Sequence, residues 1–186
     1  PKCRISRGGS MTQAETLDLD NPLWSFALDF YGRPGVAEAC LAIQDALDAD
    51  IVELVVILYA WSRLGISLSE AEGAVLRAEM QAWRETSVLP LRQIRHALKP
   101  PRSDMPHATK EALRDQVKRA ELLAEQMQIA WSNDWLEGLK RTNRSLEHNP
   151  VPTWFVTATT GDPKSKIRTE AFSVVVQTVT DMRLRS

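Results

Sequence analysis

From about Thr109 to Arg141 the chain repeats one pattern. Leu113, Val117, Ala120, Ala124, Met127 and Trp131 recur at spacings of 4-3-4-3-4. A heptad seam of this kind predicts one long α-helix that packs along another helix, or along its own copy in a dimer. Lys110, Glu111, Arg114, Asp115, Lys118, Arg119, Glu121 and Glu125 occupy the other faces. Glu121 and Glu125, one turn apart, read as a solvated edge. Trp131 and Trp135 are also one turn apart, and an uncovered aromatic pair at a helix end suits an anchor for a partner.

A long helix needs shorter ones to lie on, and the upstream sequence supplies them. Asp20 or Asn21 caps a helix with Pro22 in its first turn, where the missing N–H costs nothing. Trp24, Leu28 and Tyr31 share one face of it, with Leu23, Ala27 and Phe30 beside them. After Gly32 and Pro34, a second helix carries Val36, Ala39, Cys40, Ile43 and Leu47 at helical spacing. A third, "IVELVVILYAW" (51–61), is apolar nearly all round. It is too short to cross a bilayer and contains Glu53. Gly65 suits its C-terminal turn. "SLSE" (67–70) reads as a capping box of Ser67 and Glu70. The fourth helix behind it puts Ala71, Val75, Ala78 and Ala82 on one stripe, broadened by Leu76, Met80 and Trp83. "VLPLRQIRHALK" gives a fifth, with Pro90 in its first turn, and the three prolines of "PPRSDMP" (100–106) then stop it.

The two ends read differently. Residues 1–19 form a leader, disordered or non-native, in which Met11 occupies a natural start position. Lys2, Arg4 and Arg7 precede no apolar stretch, so no signal peptide is expected. The helical domain runs over 20–148. The tail, 149–186, is rich in Thr, Val and Phe, with "TWFVTATT" and "AFSVVVQTVT" flanking a "GDPKS" turn. That composition allows a β-hairpin. A lone hairpin is marginal, so the segment packs on the helices, pairs with another chain or stays disordered. The expected fold is therefore all-α: a compact bundle of about five helices, one long heptad helix, and a tail open between hairpin and disorder.

"LWSFALDFYGRPGVAEACLAIQD" (23–45), "YAWSRLG" (59–65) and "LPLRQIRHALK" (89–99) together resemble a family of uncharacterised proteins found mainly in proteobacteria. Its pattern runs Leu-Trp-x-Phe-x-Leu-x-x-Tyr, Pro-Gly-Val, Ala-Cys-Leu-x-Leu-Gln-Asp and Pro-Leu-Arg-x-x-Arg-x-x-Leu-Lys. Here the matching residues include Trp24, Tyr31, Cys40, Gln44, Asp45, Pro90, Arg92, Arg95 and Lys99. The resemblance spans about residues 20–140. It implies a small, soluble, helical bacterial protein and brings no activity. The family's glycine is missing where Leu47 or Asp48 stands, and the tail matches nothing in the pattern.

The residues themselves exclude more chemistry than they suggest. A net charge of −1 gives no global field toward nucleic acid or an anionic membrane. Two cysteines, Cys3 and Cys40, make no disulfide framework, which points to a reducing compartment and a cytoplasmic protein. Cys40 shares its stripe with Val36, Ile43 and Leu47 and reads as a core thiol. Gln44 and Asp45 read as bonds to neighbouring helices, Asp45 toward Arg92 or Arg95. His96, His107 and His148 lack ligand spacing, so no metal and no cofactor are expected. No P-loop, Rossmann fingerprint or nucleophile elbow is present, and no enzyme is expected.

Two binding surfaces remain. Arg92, Arg95, His96 and Lys99 share a face of the fifth helix, with Leu91, Ile94 and Leu98 opposite and Arg102 beyond. That basic face suits an anion or nucleic acid, or internal pairing with the acidic second and third helices. The other surface is the long helix, with Val117, Met127, Trp131 and Trp135 as its interface. A protein partner or self-association there is the first expectation, and nucleic acid on the basic helix the second.

Overall fold

The structure is a computed structural model that describes residues 16–47, 49–101, 103–139, 146–158 and 166–185. Its helices follow in chain order as α1 (Pro22–Tyr31), α2 (Val36–Leu47), α3 (Ile51–Tyr59), α4 (Glu70–Trp83), α5 (Leu89–Ala97), α6 (His107–Leu139), α7 (Thr153–Ala158) and α8 (Lys166–Leu184). No strand occurs among the described residues. The bundle of shorter helices and the long helix are in the expected order.

Local chemistry sets the boundaries. The Asn21 side chain accepts from the Trp24 N–H and starts α1, with Pro22 in the first turn. Gly35 takes a φ of 78° before α2, a region where a side chain would be strained. Asp50 caps α3 through the Val52 N–H. A π-helical turn, Ala60–Leu64, then ends at left-handed Gly65. The capping box lies two residues later than expected. Ser69, not Ser67, reciprocates with Glu72, because that register starts the helix where its first turn carries Glu70 and Glu72 toward the helix N-terminus. Ser67 instead accepts from the Glu147 N–H. A second π-helical turn, Arg84–Val88, joins α4 to α5 just ahead of Pro90, which cannot donate to a continuous helical ladder.

The core forms around α3, whose residues from Leu54 to Tyr59 are all buried. α1 contributes Leu23, Phe26, Ala27 and Phe30. The stripe beside Trp24 and Leu28 is thus the one that turns inward, and Leu28 faces out. α2 adds Val36, Ala39, Cys40 and Ile43, as its spacing predicts. α4 does not use the alanine stripe. It buries Gly73, Leu76 and Met80, while Val75 is exposed. The reason is Trp154, whose ring fills the space a Cβ at Gly73 would need. A hydrophobic pattern cannot show a glycine chosen for closeness.

The tail is helical where it is described. Ala171, Val175, Val179 and Met182 recur at 4-4-3 along α8 and are all buried. α8 packs on α2, and Arg183 lies 4.3 Å over the Trp61 ring. A fully buried Val contributes about 1.5–3 kcal/mol, more than the small strand preference of Val and Thr. Of the alternatives that the composition left open, packing on the helices is therefore the one realised, and the described part of the tail forms no hairpin. Residues 159–165, which hold the expected turn, lie outside the described residues. Val151 and Phe155 join the same core, and Trp61, Trp83 and Trp154 each donate an indole N–H to a backbone carbonyl.

Candidate functional site

α5 lies along the N-terminal half of α6, and the surface between them is charged. Arg92 Nε donates to Glu121 Oε1 at 3.0 Å, and its Nη2 to Glu125 Oε1 at 2.6 Å. Arg95 donates to both oxygens of Glu121, through Nη2 at 3.1 Å and more closely through Nε. Burial alone would raise the Glu121 carboxyl, but the bonds from Arg95 and Arg92 hold it below the ordinary range. Glu125 goes the other way, since burial outweighs its single arginine. Lys110, 3% exposed, donates 2.8 Å to the Pro100 carbonyl just past the end of α5. There it meets the negative end of the helix dipole.

The same arm is apolar outside. Leu113 is 54% exposed, Leu122 51% and Leu123 48% on α6, and Ile94 is 48% exposed on α5. The expected orientation of α5 therefore holds only in part, with Leu91 and Leu98 half-buried as the apolar face requires. Arg92 and Arg95 face the neighbouring helix and Ile94 faces outward. The internal pairing goes to α6, not to the acidic second and third helices. Glu121 is consequently buried, not a solvated edge. Asp45 is exposed and does not meet Arg92 or Arg95, both engaged by α6. His96 and Lys99 are exposed. Arg102 lies outside the described residues. Of the long-helix residues, Val117 and Trp135 are half-buried, and Met127 and Trp131 line a cavity against α4.

Below the arm the polar chain continues. The π-helical turn brings Arg84 Nε within 3.1 Å of Asp50 Oδ2, which also accepts from Gln128 Nε2 at 3.0 Å. Glu53, 3% exposed in the first turn of α3, pairs with Arg77 at 2.7 Å. Burial lifts the Glu53 carboxyl to about 7 despite Arg77. Tyr31 turns its hydroxyl to the buried Cys40 thiol. Burial, then Cys40 and Glu125, hold that hydroxyl above its ordinary value. Burial pushes the Cys40 thiol up to about 11, with Tyr31 opposing. The thiol is thus protonated at neutral pH, in keeping with a core cysteine and opposite to what a nucleophile requires. Among the described residues no group of three or more His, Cys, Asp and Glu could hold a metal ion.

Composition hid Asp50, Glu53, Arg84 and Gln128, which only folding brings together. The α5–α6 pairing did leave a signal. Arg92 and Arg95 are three apart and Glu121 and Glu125 four apart, so each pair occupies one face of its helix.

The model of DUF2390, a family described as protein of unknown function, matches residues 22–131. The chain belongs to this family. The matched span takes in α1 to α5 and most of α6, and so includes the whole ionic interface and Cys40. α7 and α8 lie beyond it. No curated protein and no solved structure matches the chain. No helix among the described residues is long and apolar enough to cross a membrane.

Proposed function

We propose that this DUF2390 protein is a cytosolic bacterial interaction module that docks a protein, first of all a second copy of itself, through the outer face of the α5–α6 arm. One observation carries the reading: Arg92, Arg95, Glu121 and Glu125 pair with one another between the two helices, while Leu113, Leu122 and Leu123 are about half exposed on α6. Leu113, Ala120, Leu123 and Met127 follow one another at spacings of 7, 3 and 4, a heptad register, and the first three are exposed. An amphipathic helix face in that register suits a copy of the same helix. The net charge of −1 opposes such pairing little. Trp135 and Val117, half-buried, support the helix from within.

An anion or nucleic acid at α5 is the second reading. It would find His96 and Lys99 at the surface, but would have to take Arg92 and Arg95 from Glu121 and Glu125. Analytical ultracentrifugation over a concentration series tests the first. A concentration-dependent dimer that becomes monomer in the L113E/L123E variant supports it. A monomer at every concentration that captures nucleic acid in a salt-dependent way transfers the function to the basic residues.

A further inference from the structure

Between α4 and α6, under the described end of the leader, is a cavity of about 180 Å³. Leu17, Met80, Trp83, Met127 and Trp131 give it apolar walls, and Glu79 and Gln128 are the polar residues of its lining. It belongs neither to the ionic interface nor to the exposed leucines. A cavity of about 150 Å³ with apolar walls suffices to hold one aromatic ring.

The polar atoms narrow the choice of occupant. Trp83 has already given its N–H to the Ala124 carbonyl, at 2.9 Å. Gln128 has turned its amide NH₂ to Asp50 Oδ2 at 3.0 Å and to Met80 Sδ at 3.3 Å. That orientation is fixed, because a carboxylate can only accept. It leaves Gln128 Oε1 buried with no hydrogen-bond partner. A buried carbonyl without a partner is uncommon and costly. A water alone would need two or more polar partners, and the other walls here are mostly carbon and sulfur. Met127 flanks the site, and an unbranched thioether can shift to widen it.

We propose that this cavity binds a small aromatic molecule bearing one N–H or O–H donor. The ring packs between Trp83 and Trp131 against the methionines, and a shift of the flexible Met127 uncovers the buried Gln128 Oε1 for the donor. Glu79, also an acceptor, tolerates a donor and disfavours an anion at the rim.

Indole and indene test this, since they share a shape and only indole donates. The full chain is labelled with ¹³C-methyl methionine and titrated with each. Saturable shifts of Met80 and Met127, with Met105 and Met182 unmoved, support the site. So does indole binding about five- to tenfold tighter than indene, the worth of one neutral hydrogen bond. In Q128L that preference disappears while indene still binds. In M127W, which fills the cavity from a half-buried wall, the Met80 shift is lost for both. Silent Met80 and Met127 resonances up to the solubility limit of indole overturn the proposal. Equal binding of the two probes by the unmodified chain overturns the role of Gln128, whatever the variants do.

Discussion

The bundle around α3 and the arm of α5 with α6 obey opposite rules. In the bundle, apolar residues face in: Leu54, Leu58, Phe30 and Phe155 are fully buried. In the arm, Arg92, Arg95, Glu121 and Glu125 face in, while Leu113, Leu122 and Leu123 face out. Apolar burial is stabilising at about 25 cal/mol per Å² and tolerates many partners. A buried ion network roughly breaks even against its desolvation, yet it permits only one register. Arg92 needs both Glu121 and Glu125, so sliding α5 by one turn would strand a guanidinium. The bundle thus supplies the stability, and the arm supplies a fixed shape with its apolar side left for other contacts.

The sharpest way to break this contrast is to remove apolar volume from the bundle where the tail enters it. Phe155→Ala is expected to cost roughly 3–5 kcal/mol, read by urea denaturation. A loss near zero would mean that α7 is an appendage and the core ends with α6. Next comes the charge that the bundle itself buries, Glu53. Glu53 rises from its ordinary value near 4.5 to about 7. The folded state then binds more protons than the unfolded chain across that window. Stability is greatest below about pH 4.5 as far as Glu53 is concerned, falls as pH rises to about 7, and is level above. At roughly 1.4 kcal/mol per pH unit the loss is about 3 kcal/mol. Glu53→Gln should remove this slope, so the variant overtakes the parent between about pH 5 and pH 7. Parallel pH profiles would show that Arg77 fully compensates the burial.

The bundle was more legible than the arm, and the cause is physical. Asn21, Pro22, Asp50 and Gly65 act locally, within one turn, so their roles can be read from neighbours in sequence. Ile51 to Tyr59 is apolar on nearly every side, Glu53 apart, and can only be central. α5 misled because helical periodicity shows that two faces differ but not which one meets a partner. Arg92 and Arg95 turn inward only because Glu121 and Glu125, 26 to 33 residues away, wait there. The tail stayed open for a related reason. Its 4-4-3 stripe is present in "AFSVVVQTVTDM", but the β-branched residues there suit a strand as well as a helix, and spacing alone does not choose between them. Gly73 could not have been read at all, since its value lies in the Trp154 ring that covers it. Gln128 likewise looks like any polar residue on a charged helix until Asp50 takes its amide.

Within the arm, single and concerted substitutions should part company. Glu121→Ala leaves Arg92 and Arg95 facing each other at a half-buried interface, and is expected to cost about 2–3 kcal/mol, below the 3–5 of a fully buried pair because both arginines retain some solvent. Replacing Arg92, Arg95 and Glu121 together by Met, Leu and Leu should be near neutral in urea, provided the volumes fill the gap. Should the triple variant be as weak as the single one, the ions hold the arm by attraction as well as by register.

The smallest effect is expected on the outer face. Leu113→Glu and Leu123→Glu change side chains that are about half exposed, so each should change stability by no more than about 0.5 kcal/mol. Their importance would appear only in association. This separates two meanings of an exposed leucine. If it closes a contact with another chain, the double variant loses assembly and keeps its unfolding midpoint at low protein concentration. If it covers part of this chain, the midpoint falls even for the monomer. Measuring the midpoint at two protein concentrations distinguishes them, because dimer stability depends on concentration and monomer stability does not. A midpoint that rises with concentration in the parent and is flat in the variant would make the arm's reversed polarity a device for binding. A flat midpoint in both would leave the leucines as ordinary surface, since most protein surface is apolar.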